Sequence, residues 1–84
     1  MKSLDLTEQK IKNIVLSVLP NLNSQDLSDT SNLFSIGLDS VNAMTLVLKL
    51  QNTFGIKFAA TDINAENFQS VATIVKLINE KQGQ

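Results

Sequence analysis

Apolar residues recur along the chain in three helical stripes separated by polar stretches. Between Leu6 and Leu19, the residues Ile11, Ile14, Val15, Val18 and Leu19 follow the i, i+3, i+4, i+7, i+8 spacing of one helix face. Thr7 is a candidate N-cap, and Asp5 and Glu8 place negative charge at the positive end of the helix dipole. Pro20 stops this helix, because the residue before a proline is driven out of the α region. A second stripe, Ala43, Leu46, Val47, Leu50 and Phe54, predicts a helix over Val41–Phe54, and Gly55 follows where a left-handed cap is preferred. Ser70 is an N-cap for a third helix, with the stripe Val71, Ile74, Val75 and Ile78. A brief further helix is expected around Ile63, capped by Thr61 or Asp62 and ending near Asn67. Ile56-Lys57-Phe58 reads as extended or irregular. No period-two alternation is sustained. The expected fold is all-α: a small four-helix bundle of three long helices and one short one.

Residues 20–39 are rich in Asn, Ser and Asp and read as a loop between the first two long helices. A loop of roughly 20 residues is unusual inside a compact domain and is normally functional. Leu22, Leu27, Leu33, Phe34, Ile36 and Leu38 are the residues expected to pin it to the core, with a single helical turn starting at Ser24 or Ser31.

The second long helix carries more apolar residues than one buried face needs. Val41, Met44 and Leu48 form a second stripe at i, i+3, i+7, rotated away from the first. Either they widen the core contact, or they form an exposed strip on which a partner docks.

Composition narrows the chemistry. The 84 residues contain no cysteine and no histidine, which excludes disulfides, thiolate nucleophiles and the usual zinc and copper sites. Its seven basic residues are all lysine, against eight acids, so no basic stripe exists to neutralise a phosphate backbone. No nucleic-acid partner is expected. The apolar runs fall far short of the ~20 residues that span a bilayer, and Met1–Leu6 contains no leader-like apolar run. One cytoplasmic, monomeric domain over 1–84 is expected, with its core at about 6–80.

The start of the second long helix is the most distinctive position. In Gly37-Leu38-Asp39-Ser40-Val41 a long loop turns into a helix and presents a serine hydroxyl at the positive end of the dipole. A phosphate ester on Ser40 would be well placed there. Asp39 is positioned to cap the helix through the N–H of Val41 or Asn42, and its carboxylate beside the hydroxyl could help hold a divalent cation. Gly37 supplies a backbone angle that other residues avoid. The plain alternative is that Asp39 and Ser40 only cap the helix.

The segment Leu33-Phe34-Ser35-Ile36-Gly37-Leu38-Asp39-Ser40-Val41 resembles the attachment motif of the acyl and peptidyl carrier proteins. The resemblance extends through the Leu50–Phe54–Gly55 helix end and the Asn67–Ile78 tail, nearly the whole chain. It implies that Ser40 receives a phosphopantetheine arm from coenzyme A. It implies that Asp39 assists the phosphopantetheinyl transferase, sharing its magnesium ion, and that Val41, Met44 and Leu48 face partner enzymes. Those partners would be acyl- or aminoacyl-loading and condensing enzymes. The thiol would belong to the arm, so the chain needs no cysteine, and the bundle interior could shelter the cargo. One departure stands out. Carriers of fatty-acid synthesis typically have an acidic second helix, whereas Lys49 is the single charged side chain between Val41 and Phe54 here. That points away from housekeeping fatty-acid synthesis and toward a dedicated pathway handling a polyketide, a nonribosomal peptide or a single amino acid.

Three other classes compete. A serine hydrolase needs an oriented base, and with no histidine only a dyad of Ser40 with Lys49 or Lys57 is conceivable. A calcium-binding helical domain lacks its loop pattern. A plain interaction module shares every feature except use of the Ser40 hydroxyl.

Overall fold

The computed structural model describes residues 3–83; Met1, Lys2 and Gln84 at the ends of the expected domain lie outside them, as does the side chain of Asp5. Among the described residues there are three α-helices: α1 (Ser3–Val18), α2 (Ser40–Phe54) and α3 (Val71–Gln82). Three short 3-10 turns, Ser24–Asp26, Leu33–Ile36 and Ala60–Asp62, lie between them. Helix α1 is the spine, packing against both α2 and α3.

The stripes read from the sequence meet in one core. Ile11 and Val15 of α1, Leu46 and Leu50 of α2, and Val71, Ile74 and Ile78 of α3 are buried. Burying such a side chain stabilises the fold by about 1.5–3 kcal/mol. Leu77 is also buried although it lies off the expected α3 stripe, while Ile14 and Val75 are only partly covered. Helix α1 begins at Ser3, so Thr7 stands inside it and does not cap it. Its hydrogen bonding runs one residue past Val18, with the Leu19 N–H donating to the Val15 carbonyl at 2.9 Å, and Pro20 prevents continuation.

The long loop is held at several points. Leu27, Leu33 and Leu38 are buried, and Leu22 and Ile36 pack on the core. The Leu33 N–H donates to the Gln69 carbonyl at 2.7 Å, and the Ala72 N–H donates to the Asp29 carbonyl at 2.9 Å. Lys12 of α1 reaches Asp29 at 3.0 Å and Glu8 at 3.4 Å. Phe34 departs from expectation: it is largely exposed and does not pin the loop.

The expected short fourth helix does not form. Its place is taken by the Ala60–Asp62 turn and irregular turns up to Phe68. Side chains there satisfy the backbone locally, which competes with helical hydrogen bonds. Asp62 Oδ2 accepts from the Ala59 N–H at 2.7 Å, and Asn64 Oδ1 accepts from the Asn67 N–H at 2.7 Å. Asn67 Nδ2 donates to the Asp62 carbonyl at 2.8 Å. Phe68 is then buried, edge-on to Phe58 with ring centroids 5.6 Å apart. Ser70 caps α3: its Oγ accepts from the Thr73 N–H at 3.2 Å, and Thr73 Oγ1 accepts from the Ser70 N–H at 3.0 Å.

Lys81 in the last turn of α3 pairs with Asp62 and so ties this segment to the bundle. The Lys81 ammonium, and after it the Ala59 N–H, hold the Asp62 carboxyl below its ordinary 3.8. A carboxyl whose folded-state pKa is depressed adds stability above its unfolded pKa and loses it as pH falls through the folded value. Asp62→Asn keeps an oxygen for the Ala59 N–H but removes the ion pair. The variant is expected to melt slightly below the native chain near neutral pH, with the gap closing as pH drops below 3.8; thermal melts across that range check it.

Candidate functional site

Three features decide where α2 begins. Leu33 and Leu38 are both buried, and the Leu38 N–H donates to the Leu33 carbonyl at 2.9 Å, closing the Leu33–Ile36 turn between them. Asn32 Oδ1 accepts from the Phe34 N–H at 3.0 Å and starts that turn. Gly37 ends it at φ 127°, a region that side chains avoid. A Cβ there would meet only Leu19 Cδ2, at 3.6 Å, so the backbone angle and not the space calls for glycine.

Asp39 is the N-cap, as read from the sequence. Its backbone is extended and its Oδ1 accepts from the Asn42 N–H at 2.9 Å. Its carbonyl accepts the Ala43 N–H at 2.8 Å, and Asn42 Nδ2 donates back to the Gly37 carbonyl at 3.4 Å. Ser40 is therefore the first helical residue. It is exposed, and its hydroxyl has no hydrogen-bond partner among the described residues. The hydroxyl stands beside first-turn N–H groups at the positive end of a 15-residue helix.

Val41, Met44 and Leu48 are 74%, 53% and 55% exposed, so they do not belong to the core. Phe34 and Ile63, also exposed, extend this apolar surface beyond α2. The helical pattern could not reveal them as surface residues, because Phe34 lies in a single 3-10 turn and Ile63 directly after another, both too short to define a face. Met44 and Ser40 also line a hollow of about 330 Å³, walled by Ala43, Val47, Ile63 and Phe68. A second hollow of about 410 Å³ adjoins it and shares Phe34 and Ala65.

The geometry removes the hydrolase reading. Lys49 lies nine residues beyond Ser40 on the same helix, roughly 13 Å along the axis, and Lys57 lies past the helix's far end. Neither can act as a base on the Ser40 hydroxyl. Among the described residues no cluster of metal-binding side chains occurs, and no helix is long and apolar enough to cross a membrane.

Helix α2 thus starts on a capping aspartate with an exposed, unpaired serine next to it. Residues 9–78 match the family model of the phosphopantetheine attachment site. The chain is 35% identical over 75 residues to D-alanyl carrier protein 2 of Lactiplantibacillus plantarum, covering 86% of this chain and 94% of that one. It is 32% identical over 77 residues to aminoacyl carrier protein 2 of Bradyrhizobium diazoefficiens, covering 90% and 86%. Its fold matches a chain in the crystal structure of Bradyrhizobium japonicum glycine:[carrier protein] ligase complexed with glycylated carrier protein. The TM-score is 0.77 at 26% identity, covering 86% of this chain and 97% of that one. The chain belongs to the carrier-protein family whose prosthetic group is phosphopantetheine.

The Gly37 backbone angle gives a direct test. Gly37→Ala is expected to lower stability by about 1–3 kcal/mol in urea titration although the methyl group fits, because the strain lies in φ. A change below a few tenths of a kcal/mol would show that the turn relaxes freely.

Proposed function

We propose that this chain carries an aminoacyl group as a thioester on a phosphopantetheine arm attached to Ser40. The observation that carries this reading is the free Ser40 hydroxyl, exposed beside a capping carboxylate at the start of α2. In the attachment step the Ser40 oxygen attacks the phosphorus next to pantetheine in coenzyme A. The pyrophosphate bond breaks, adenosine 3′,5′-bisphosphate leaves, and the serine proton passes to a base on the transferase. The phosphodiester formed carries one negative charge, which the first-turn N–H groups and the helix dipole favour. Asp39 engages Asn42 through one oxygen and offers the other to the transferase's magnesium ion. Once attached, the arm supplies the terminal thiol that holds the cargo. The chain itself catalyses nothing; it anchors, orients and is recognised.

Two observations favour amino-acid cargo. The relatives are D-alanyl and aminoacyl carriers, and the structural neighbour is a glycylated carrier bound to its ligase. Of the dedicated routes open from the sequence, these support a single amino acid over a polyketide or a nonribosomal peptide. Helix α2 also lacks the acidic residues that would steer it to a basic partner. Its ligase would instead meet Val41, Met44 and Leu48 through apolar contact, which is where truncation of an interface costs most.

Incubation with coenzyme A, magnesium and a broad-specificity phosphopantetheinyl transferase is expected to add one arm, seen by intact mass, and Ser40→Ala is expected to gain none. A native chain left unmodified would reduce it to an interaction module.

A separate measurement concerns docking. Met44→Asp and Leu48→Asp are expected to keep the native circular dichroism, since both positions are exposed. Each should slow aminoacyl loading by roughly tenfold, corresponding to about 1.4 kcal/mol of lost contact. Loading at the native rate would place the ligase on another face.

A further inference from the structure

We propose that the groove leading away from Ser40 is a cargo subsite, in which the Glu66 carboxylate receives the α-ammonium group of the loaded amino acid. This inference rests on the aminoacyl-carrier reading and adds a site to it.

Two hollows lie side by side next to α2. The first opens at Ser40 and has apolar walls from Ala43, Met44, Val47, Ile63 and Phe68. Phe34 and Ala65 line both hollows, so the second lies directly beside the first. There Asn32, Glu66 and Gln69 add polar groups to a wall that is still largely apolar. A tether fixed at Ser40 would start in the first hollow, with Glu66 in the neighbouring one.

Charge selects the occupant. Glu66 is the only charged side chain lining either hollow. It is exposed and has no ion-pair or hydrogen-bond partner among the described residues. Lys76 lines a third hollow together with Glu66, yet no ion pair joins them. A fatty acyl group would offer this carboxylate nothing. An aminoacyl thioester carries a free ammonium group, and the side-chain amides of Asn32 and Gln69 add hydrogen-bonding capacity beside it. The apolar walls face the methylene and methyl groups of the arm. Exposed charge pairs are individually weak, so the effect is a several-fold shift in the population of the docked arm. The site therefore distinguishes amino-acid cargo from acyl cargo while leaving the thioester free to swing out to a partner.

The test compares two cargoes that differ only by the amine. The isotope-labelled chain is converted by a transferase to forms bearing an alanyl or a propionyl arm, each joined by an amide in place of the thioester so that it survives measurement. Intact mass verifies each arm, and backbone amide chemical shifts are read by NMR. Both arms are expected to shift Phe34 and Ala65, and only the alanyl arm to shift Glu66 and Gln69 further. Glu66→Gln, at an exposed position without a partner, should fold normally and lose the alanyl-specific part alone. The proposal is overturned if, with the arm present by mass, shifts stay confined to residues next to Ser40. It is equally overturned if the alanyl and propionyl spectra coincide at Glu66, or if Glu66→Gln leaves their difference unchanged. Failure to gain any mass would instead bring down the attachment reading itself, and this one with it.

Discussion

Everything the site does depends on a short piece of backbone held rigid between two buried leucines. Leu33 and Leu38 are anchored in the core, and the chain between them closes on itself through the Leu38 N–H to Leu33 carbonyl bond. That closure needs Gly37 in a conformation disfavoured for other residues, and it delivers Asp39 to the helix start in extended form. Ser40 is exposed, but the backbone beneath it is not free to wander. A hydroxyl on an unanchored loop would be accessible yet poorly aimed; here the packing of two leucines fixes the start of the helix that carries Ser40.

The rest of the molecule supports that point. Helix α1 packs on both of the other helices, so one element fixes their relative position. The long loop is tied to the start of α3 by Leu33 to Gln69 and by Ala72 to Asp29, which places the Leu33–Ile36 turn and the α3 cap on one hydrogen-bonded frame. The Asn-rich segment before α3 is held the same way, by its own side chains and by the pair of Asp62 with Lys81. A loop of this length holds its shape with only two short 3-10 turns because buried leucines and backbone bonds to the start of α3 anchor it.

In the function proposed, the outer surface of α2 is where the domain is recognised. With Lys49 as its one charged residue, this helix cannot draw a partner by long-range attraction, and association must rest on fitting apolar side chains together. Such recognition is insensitive to salt and demanding of shape.

Much of this was legible in the residue pattern. The three long helices, the Gly55 and Ser70 caps, the role of Asp39 and the positive φ of Gly37 follow from local rules, in which spacing and side-chain chemistry act over a few residues. The start of α1 and the supposed fourth helix were not legible. In the second case Asp62, Asn64 and Asn67 have donors and acceptors enough to cap a helix or to replace one, and local chemistry does not distinguish the two. The exposed stripe of Val41, Met44 and Leu48 was equally undecided in the sequence, since periodicity states which residues share a face but not what lies opposite. The hollows beside α2 join residues far apart in the chain, such as Phe34, Met44 and Ala65, and only packing brings these together. Local hydrogen bonding and helical period are properties of neighbours in sequence, while exposure and cavities belong to the surfaces that folding sets side by side.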